Sequence, residues 1–312
     1  MPDAQFDKNV LRSMSKAERR DYLREQARLK REAEQKRRRR NRLVIQLSIV
    51  VGSIVVLALI GWAVFASVTA TTAMPNNMAS YGLLLQGQNG KAAPVLTPAA
   101  PSSGGPVVTD QSQYPEPVHI TTYVDYQCPY CNQFETTNQD YIAGLVAAGE
   151  ATLEVHPIAI LDNSSLGSKY STRSANAAAC VASIAPQSFL DVNKALFANQ
   201  PQEGTSGLTD EQLVSIVQGA GVSDPTVASC ITDHSYAGFV AKATNQALSG
   251  PLPNSSVARL TGTPTVIVNG QQYNGSLSDA SAFASFVETI AASASTGSGS
   301  GQTSSPTPAA AG

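Results

Sequence analysis

From Leu43 to Val68 the chain runs through 26 residues without a charged side chain, LVIQLSIVVGSIVVLALIGWAVFASV. A helix rises about 1.5 Å per residue, so this run exceeds the roughly 30 Å hydrocarbon core of a bilayer. It predicts a transmembrane helix over 43–68 and removes everything before residue 69 from any water-soluble core. KRRRRNR, Lys36 to Arg42, abuts its N-terminal end, and the next basic residue is Lys91. That asymmetry predicts a cytoplasmic N-terminus and an extracytoplasmic remainder, in a single-pass cell-membrane protein. A cleaved signal peptide is the competing reading. A charged leader of about forty residues and so long an apolar run argue against it.

Charge divides the chain at the same place. Residues 1–42 hold 15 of the 21 Lys and Arg but only 7 of the 23 Asp and Glu, so a net +8 segment precedes a net −10 remainder. The basic segment has helix-forming composition with interleaved signs. Contact with nucleic acid or anionic lipid is weighed against a solvated cytoplasmic segment that fixes topology. It lacks the aromatic interleaving of a nucleic-acid platform, so no nucleic-acid partner is expected. Residues 69–115 are rich in Ala, Pro, Gly and Thr and predict a flexible extracytoplasmic linker, with YGLLLQG, Tyr81 to Gly87, as its one apolar patch suited to dock as an extra strand. Residues 292–312 predict a disordered tail. Residues 116–291 remain, enough for one core.

Within that core PVHITTYVDY and ATLEVHPIAI read as strands. Between them Phe134, Tyr141, Ile142, Leu145 and Val146 fall on one helical face that Gly149 stops. An Ala-rich helical stretch follows over about 167–250, broken near Pro186, Pro201 and Pro225, with a capping box at Thr209 and Gln212. Asn269 and Gly270 then separate two short β runs, as in a two-residue hairpin, before a last helix with Ser278 as its expected N-cap. This order predicts an α/β fold with a large helical insertion.

Two of the four cysteines lie in VDYQCPYCNQF. Pro129 suits the first turn of a helix, which places Cys128 at the helix N-terminus. There the unpaired amides and the positive end of the macrodipole favour a thiolate. Cys131, one turn inward, is positioned as a buried resolving sulfur. A Cys₄ zinc site is the competing chemistry, but Cys180 and Cys230 lie 50 residues apart without a second short knuckle. A structural bond within CPYC closes too small a loop to gain much entropy. Cys180 and Cys230, both in the helical block, are the expected structural disulfide, with a second redox relay as the alternative reading. No metal is expected, and His119, His156 and His234 lack metal-ligand spacing.

The strand, Cys128-Pro129-Tyr130-Cys131, the helix, and TGTPTVIVNG ahead of a hairpin and terminal helix resemble the thioredoxin superfamily. The resemblance is to DsbA-like thiol:disulfide oxidoreductases, in a membrane-anchored bacterial form. It implies a thioredoxin-like fold over 116–291, with Pro264 as a cis-proline facing the sulfurs and Thr263 offering its backbone to a bound client. Many relatives place a carboxylate six residues before the first cysteine as a buried proton carrier; here that residue is Thr122. Asp125 is the nearest acid, either as its substitute or as a cap of the turn. Tyr130 stands where strongly oxidising members have His, so less thiolate stabilisation and a weaker oxidant are expected.

The resemblance further implies a redox-active disulfide and no organic cofactor, exported cysteine-containing clients, and a membrane reoxidant of DsbB-like or VKOR-like type. Oxidation of clients through Cys128 and Cys131 is the leading expectation. An isomerase or reductase of the same fold, or a non-catalytic client-binding module, stands as the alternative.

Overall fold

The computed structural model describes residues 73–297 together with Arg28. The chain divides into two units, Met1–Val68 and Thr69–Gly312, and the described architecture is that of the second. The transmembrane helix expected over 43–68, the rest of the basic segment 1–42 and the tail beyond 297 lie outside the described residues. Among the described residues, no helix is long and apolar enough to cross a membrane.

One six-stranded sheet organises the unit. Its strands in chain order are β1 (Leu83–Gln88), β2 (Lys91–Pro94), β3 (Val118–Val124), β4 (Ala151–Pro157), β5 (Thr265–Val268) and β6 (Gln271–Gln272). Across the sheet they run β2-β1-β4-β3-β5-β6. Only β3 and β4 pair in parallel, Val118 opposite Ala151 through Val124 opposite Pro157. Such a pair needs a long crossover, and helix α1 (Pro129–Ala148) supplies it. Both faces of these central strands are covered: every residue of β4 is buried, and all of β3 but His119. Their β-branched and aromatic runs are what a doubly covered strand requires.

Helix α1 starts with Pro129 and ends at Gly149, whose φ of 73° lets its N–H reach back to the carbonyls of Leu145 and Val146. Its inward residues Phe134, Ile142 and Val146 are buried, and Phe134 meets Phe283 of the last helix edge-on at 5.1 Å. Between β4 and β5 the chain builds helices α2 (Tyr170–Ile184), α3 (Phe189–Ala198), α4 (Asp210–Gly219), α5 (Pro225–Thr232) and α6 (Ala237–Ser249). The boundaries follow the punctuation of the sequence. Pro186 opens a 3-10 turn, Thr209 and Gln212 form the capping box, and Asp224 caps α5 ahead of Pro225. A disulfide joins Cys180 of α2 to Cys230 of α5, so those sulfurs are not free to ligate zinc. Asn269 and Gly270, with φ of 45° and 82°, turn β5 into β6 with Val268 opposite Gln271.

Three expectations need correction. The segment expected to be a flexible linker over 69–115 is, from residue 73, part of the fold: β1 pairs with β4, and Met78, Tyr81, Leu83, Leu85 and Ala100 enter the core. Its composition cannot build a core alone, but a few well-spaced apolar residues suffice to complete one that exists. The final helix α7 (Ala280–Gly297) is capped by Asp279, not Ser278: the Asp279 carboxylate accepts the N–H of Ser281 and of Ala282. It also runs past 291, because the Ala- and Ser-rich residues there are compatible with helix.

Candidate active site

Cys128 is the N-cap of α1, with extended backbone at φ −77° and ψ 117°, and its N–H donates to the Asp125 carbonyl at 3.0 Å. Cys128 and Cys131 are free thiols, and both are buried. The Cys128 thiol is held at a pKa of about 6. Donation by the Cys131 thiol is the largest cause; burial opposes it, and the amides of Cys131 and Tyr130 add to the stabilisation of the anion. Cys131 is pushed well above the ordinary thiol range, first by burial and then by the neighbouring Cys128. Two sulfurs three residues apart thus hold opposed acidities. That pairing suits the outer sulfur to act as nucleophile and leaving group and the inner one to keep its proton.

The Thr263–Pro264 peptide bond is cis, and it carries the Thr263 carbonyl to 3.2 Å from the Cys128 sulfur, which donates to it in the dithiol state. The Thr263 hydroxyl is buried without a hydrogen-bond partner in that state. The chain brings these residues together across 135 positions because β5 pairs with β3, whose end leads directly into Cys128.

Asp125 organises the turn. One carboxylate oxygen accepts the N–H of Gln127 at 2.9 Å, and the other accepts those of Ile160 and Leu161 at 2.8 and 3.0 Å. Burial raises its pKa against these bonds. These are the bonds of a cap of the turn. The Asp125 backbone N–H lies 3.5 Å from the Cys131 sulfur. Thr122 is buried, with no hydrogen-bond partner for its hydroxyl. Tyr130 is 64 % exposed. With Tyr130 at that position in place of a cation, the thiolate is stabilised by Cys131 and the helix amides.

A family model described as Thioredoxin matches residues 116–289. The chain belongs to the thioredoxin family. Solved structures similar to this thioredoxin-family chain include reduced DsbA from Mycobacterium tuberculosis, at 25 % identity over 69 % of this chain and 98 % of that one, with a TM-score of 0.48. The reduced disulfide bond oxidoreductase DsbG from the same organism is 26 % identical over 68 % and 91 %, TM-score 0.48, and oxidised BdbD from Bacillus subtilis is 17 % identical over 71 % and 98 %, TM-score 0.48. No curated protein matches the chain.

Several residues around the thioredoxin-family dithiol carry no signal in the sequence motif. Glu135, one helical turn beyond Cys131, is buried, accepts from Asn193 Nδ2 at 3.1 Å, and has its pKa raised by burial to about 7. Asn193 in turn accepts from the Tyr126 hydroxyl at 2.8 Å. Gln127 is fully buried, donates to the Ser164 carbonyl and accepts from Ser171, which ties the residue before the nucleophile to the helical block. The only sequence hint was polar side chains at inward positions of an otherwise apolar helix face.

Proposed function

We propose that this chain is an extracytoplasmic, membrane-tethered thiol:disulfide oxidoreductase that introduces disulfides into exported proteins. The observation that carries the reading is the pairing of a Cys128 thiol of pKa about 6 against the Thr263 carbonyl with a buried Cys131 of raised pKa. In the oxidised protein a client thiolate attacks the Cys128 sulfur, the Cys128–Cys131 bond breaks, and Cys131 leaves with the electron pair and takes up a proton. A second client thiolate then attacks the client sulfur of the mixed disulfide. Cys128 departs as a thiolate, which its low pKa makes a good leaving group. Two electrons now reside on the Cys128/Cys131 dithiol, and a membrane reoxidant of DsbB-like or VKOR-like type would remove them. Attack by Cys131 on the mixed disulfide resolves it in the opposite direction and frees a client that has no second thiol.

The backbone at Thr263, beside Pro264, would align an extended client segment across Cys128. The uncharged run 43–68 and the basic residues 36–42 before it support the tether and the orientation. The deciding measurement is equilibration of the Cys128/Cys131 couple with glutathione, alongside oxidation of a reduced client. A thiolate stabilised at neutral pH favours the reduced protein, so the couple is expected to be more oxidising than thioredoxin's roughly −270 mV, and Cys128→Ser to abolish turnover. A strongly reducing potential, or client oxidation that survives Cys128→Ser, would defeat the proposal.

A further inference from the structure

The backbone at Cys128 is also held from the helical block. Gln200 lies in the connection between α3 and α4, and its Nε2 donates to the carbonyl of Cys128 at 2.9 Å and to that of Tyr126 at 3.1 Å. Its Oε1 accepts from Asn132 Nδ2 at 3.2 Å, and Asn132, in the first turn of α1, also donates to the Phe197 carbonyl at 3.0 Å. The Gln200 backbone N–H donates to that same Phe197 carbonyl at 3.1 Å. These partners fix the amide orientation. Turned over, it would set Oε1 against two carbonyl oxygens and Nε2 against the Asn132 amide donor.

The Cys128 carbonyl also accepts the Asn132 N–H at 3.2 Å, so Gln200 saturates the oxygen of the residue that bears the thiolate. A bare carbonyl dipole beside a buried anion disfavours it, and a saturated one does so less. The same two bonds also keep the backbone of Cys128 where its sulfur meets the amides of Tyr130 and Cys131.

We propose that Gln200 is a positioning residue that sets the thiolate affinity, and so the redox poise, of Cys128 from the helical block. The inference rests on the oxidoreductase reading above. Gln200→Met keeps the length and removes the donors; Gln200→Glu keeps the shape and sets a charge against both carbonyls. In Gln200→Met the acid constant of Cys128, followed by thiolate absorbance, should fall roughly 3- to 10-fold, and the glutathione equilibrium should move by a similar factor toward the protein disulfide. Gln200→Glu should move both further in the same direction. Asn199→Ala removes a neighbouring bond to the Ala195 carbonyl and should change neither quantity.

A structural role alone would lower the melting temperature and leave both quantities within twofold of the parent, and that result overturns the proposal. Should the variants not fold, the unaltered protein decides. The Gln200 amide protons must shift in the NMR spectrum with the Cys128 titration, and their indifference to it is the overturning result. A parent protein that does not exchange with glutathione at all would defeat the oxidoreductase reading, while the thiolate titrations would still judge Gln200.

Discussion

Glu135 shows what one residue contributes when burial and charge conflict. Its carboxyl has a pKa near 7 against an ordinary 4.5, because burial opposes the anion and one bond from Asn193 only partly offsets it. A carboxyl whose folded pKa is raised costs no stability below the unfolded pKa. The penalty grows as pH rises through the interval between the two values and is complete above the folded one. The full interval corresponds to about 3 kcal/mol as an upper figure. Glu135→Gln is therefore expected to leave stability at pH 4.5 nearly unchanged and to raise it at pH 8 by on the order of 1–3 kcal/mol. Urea unfolding at the two pH values, with the Cys180–Cys230 bond intact, checks this; a gain independent of pH would contradict it. At this scale legibility was uneven. Cys128, Cys131, Thr263 and Pro264 stand in short motifs and were readable as such. Asn193 and Gln200 reach Tyr126 and Cys128 from 67 to 74 positions away, and only the fold brings them there.

Among the elements, the helical block was readable because proline and glycine mark its breaks, and the α5 start at Asp224-Pro225 is a local signal that tertiary packing did not override. The terminal helix shows the limit of such signals. Ser278 and Asp279 are both good N-caps, and only the observed bonds to Ser281 and Ala282 assign the role to Asp279. The block is stapled at one place, by the bond from α2 to α5 across a separation of 50 residues. In the chain-entropy account, a loop of that length is worth roughly 4 kcal/mol through restriction of the unfolded chain. The Cys180→Ala, Cys230→Ala double variant should accordingly lose about 3–4 kcal/mol by denaturant titration, while the folded fraction exchanges disulfides at Cys128 at an unchanged rate. A variant that keeps its stability but loses exchange would assign this pair a redox role instead.

At the largest scale, the described fold depends on a segment that its own composition did not promote. Residues 73–115 lack the apolar content to fold alone, yet they lay β1 along β4 and carry Met78, Leu83 and Leu85 to complete burial. At roughly 1.5–3 kcal/mol for each such side chain, these three supply about 5–9 kcal/mol, comparable to the 5–15 kcal/mol by which a domain is ordinarily stable. The segment also closes over a polar cluster. The Ser80 hydroxyl donates to Glu154, His156 Nε2 lies 3.3 Å from the same carboxylate, and Tyr123 stacks on the His156 ring at 4.4 Å. Burial alone would raise the Glu154 carboxyl, but His156 and Ser80 together hold it below its usual range. A chain beginning at Glu116, which retains all of the family-matched region 116–289, should therefore fail to reach a cooperative fold, whereas one beginning at residue 73 should unfold in a single transition. Gly82 offers the same test without deletion. A Cβ there would stand 2.6 Å from His156 Nε2, and Tyr123 stacks on that ring at 4.4 Å. Gly82→Ala should cost about 1–3 kcal/mol and raise the hydrogen exchange of β1 and β4 ahead of that of β3 and β5. Uniform protection across the sheet in that variant, or a cooperative melt for the chain that starts at Glu116, would show that the core stands without the segment.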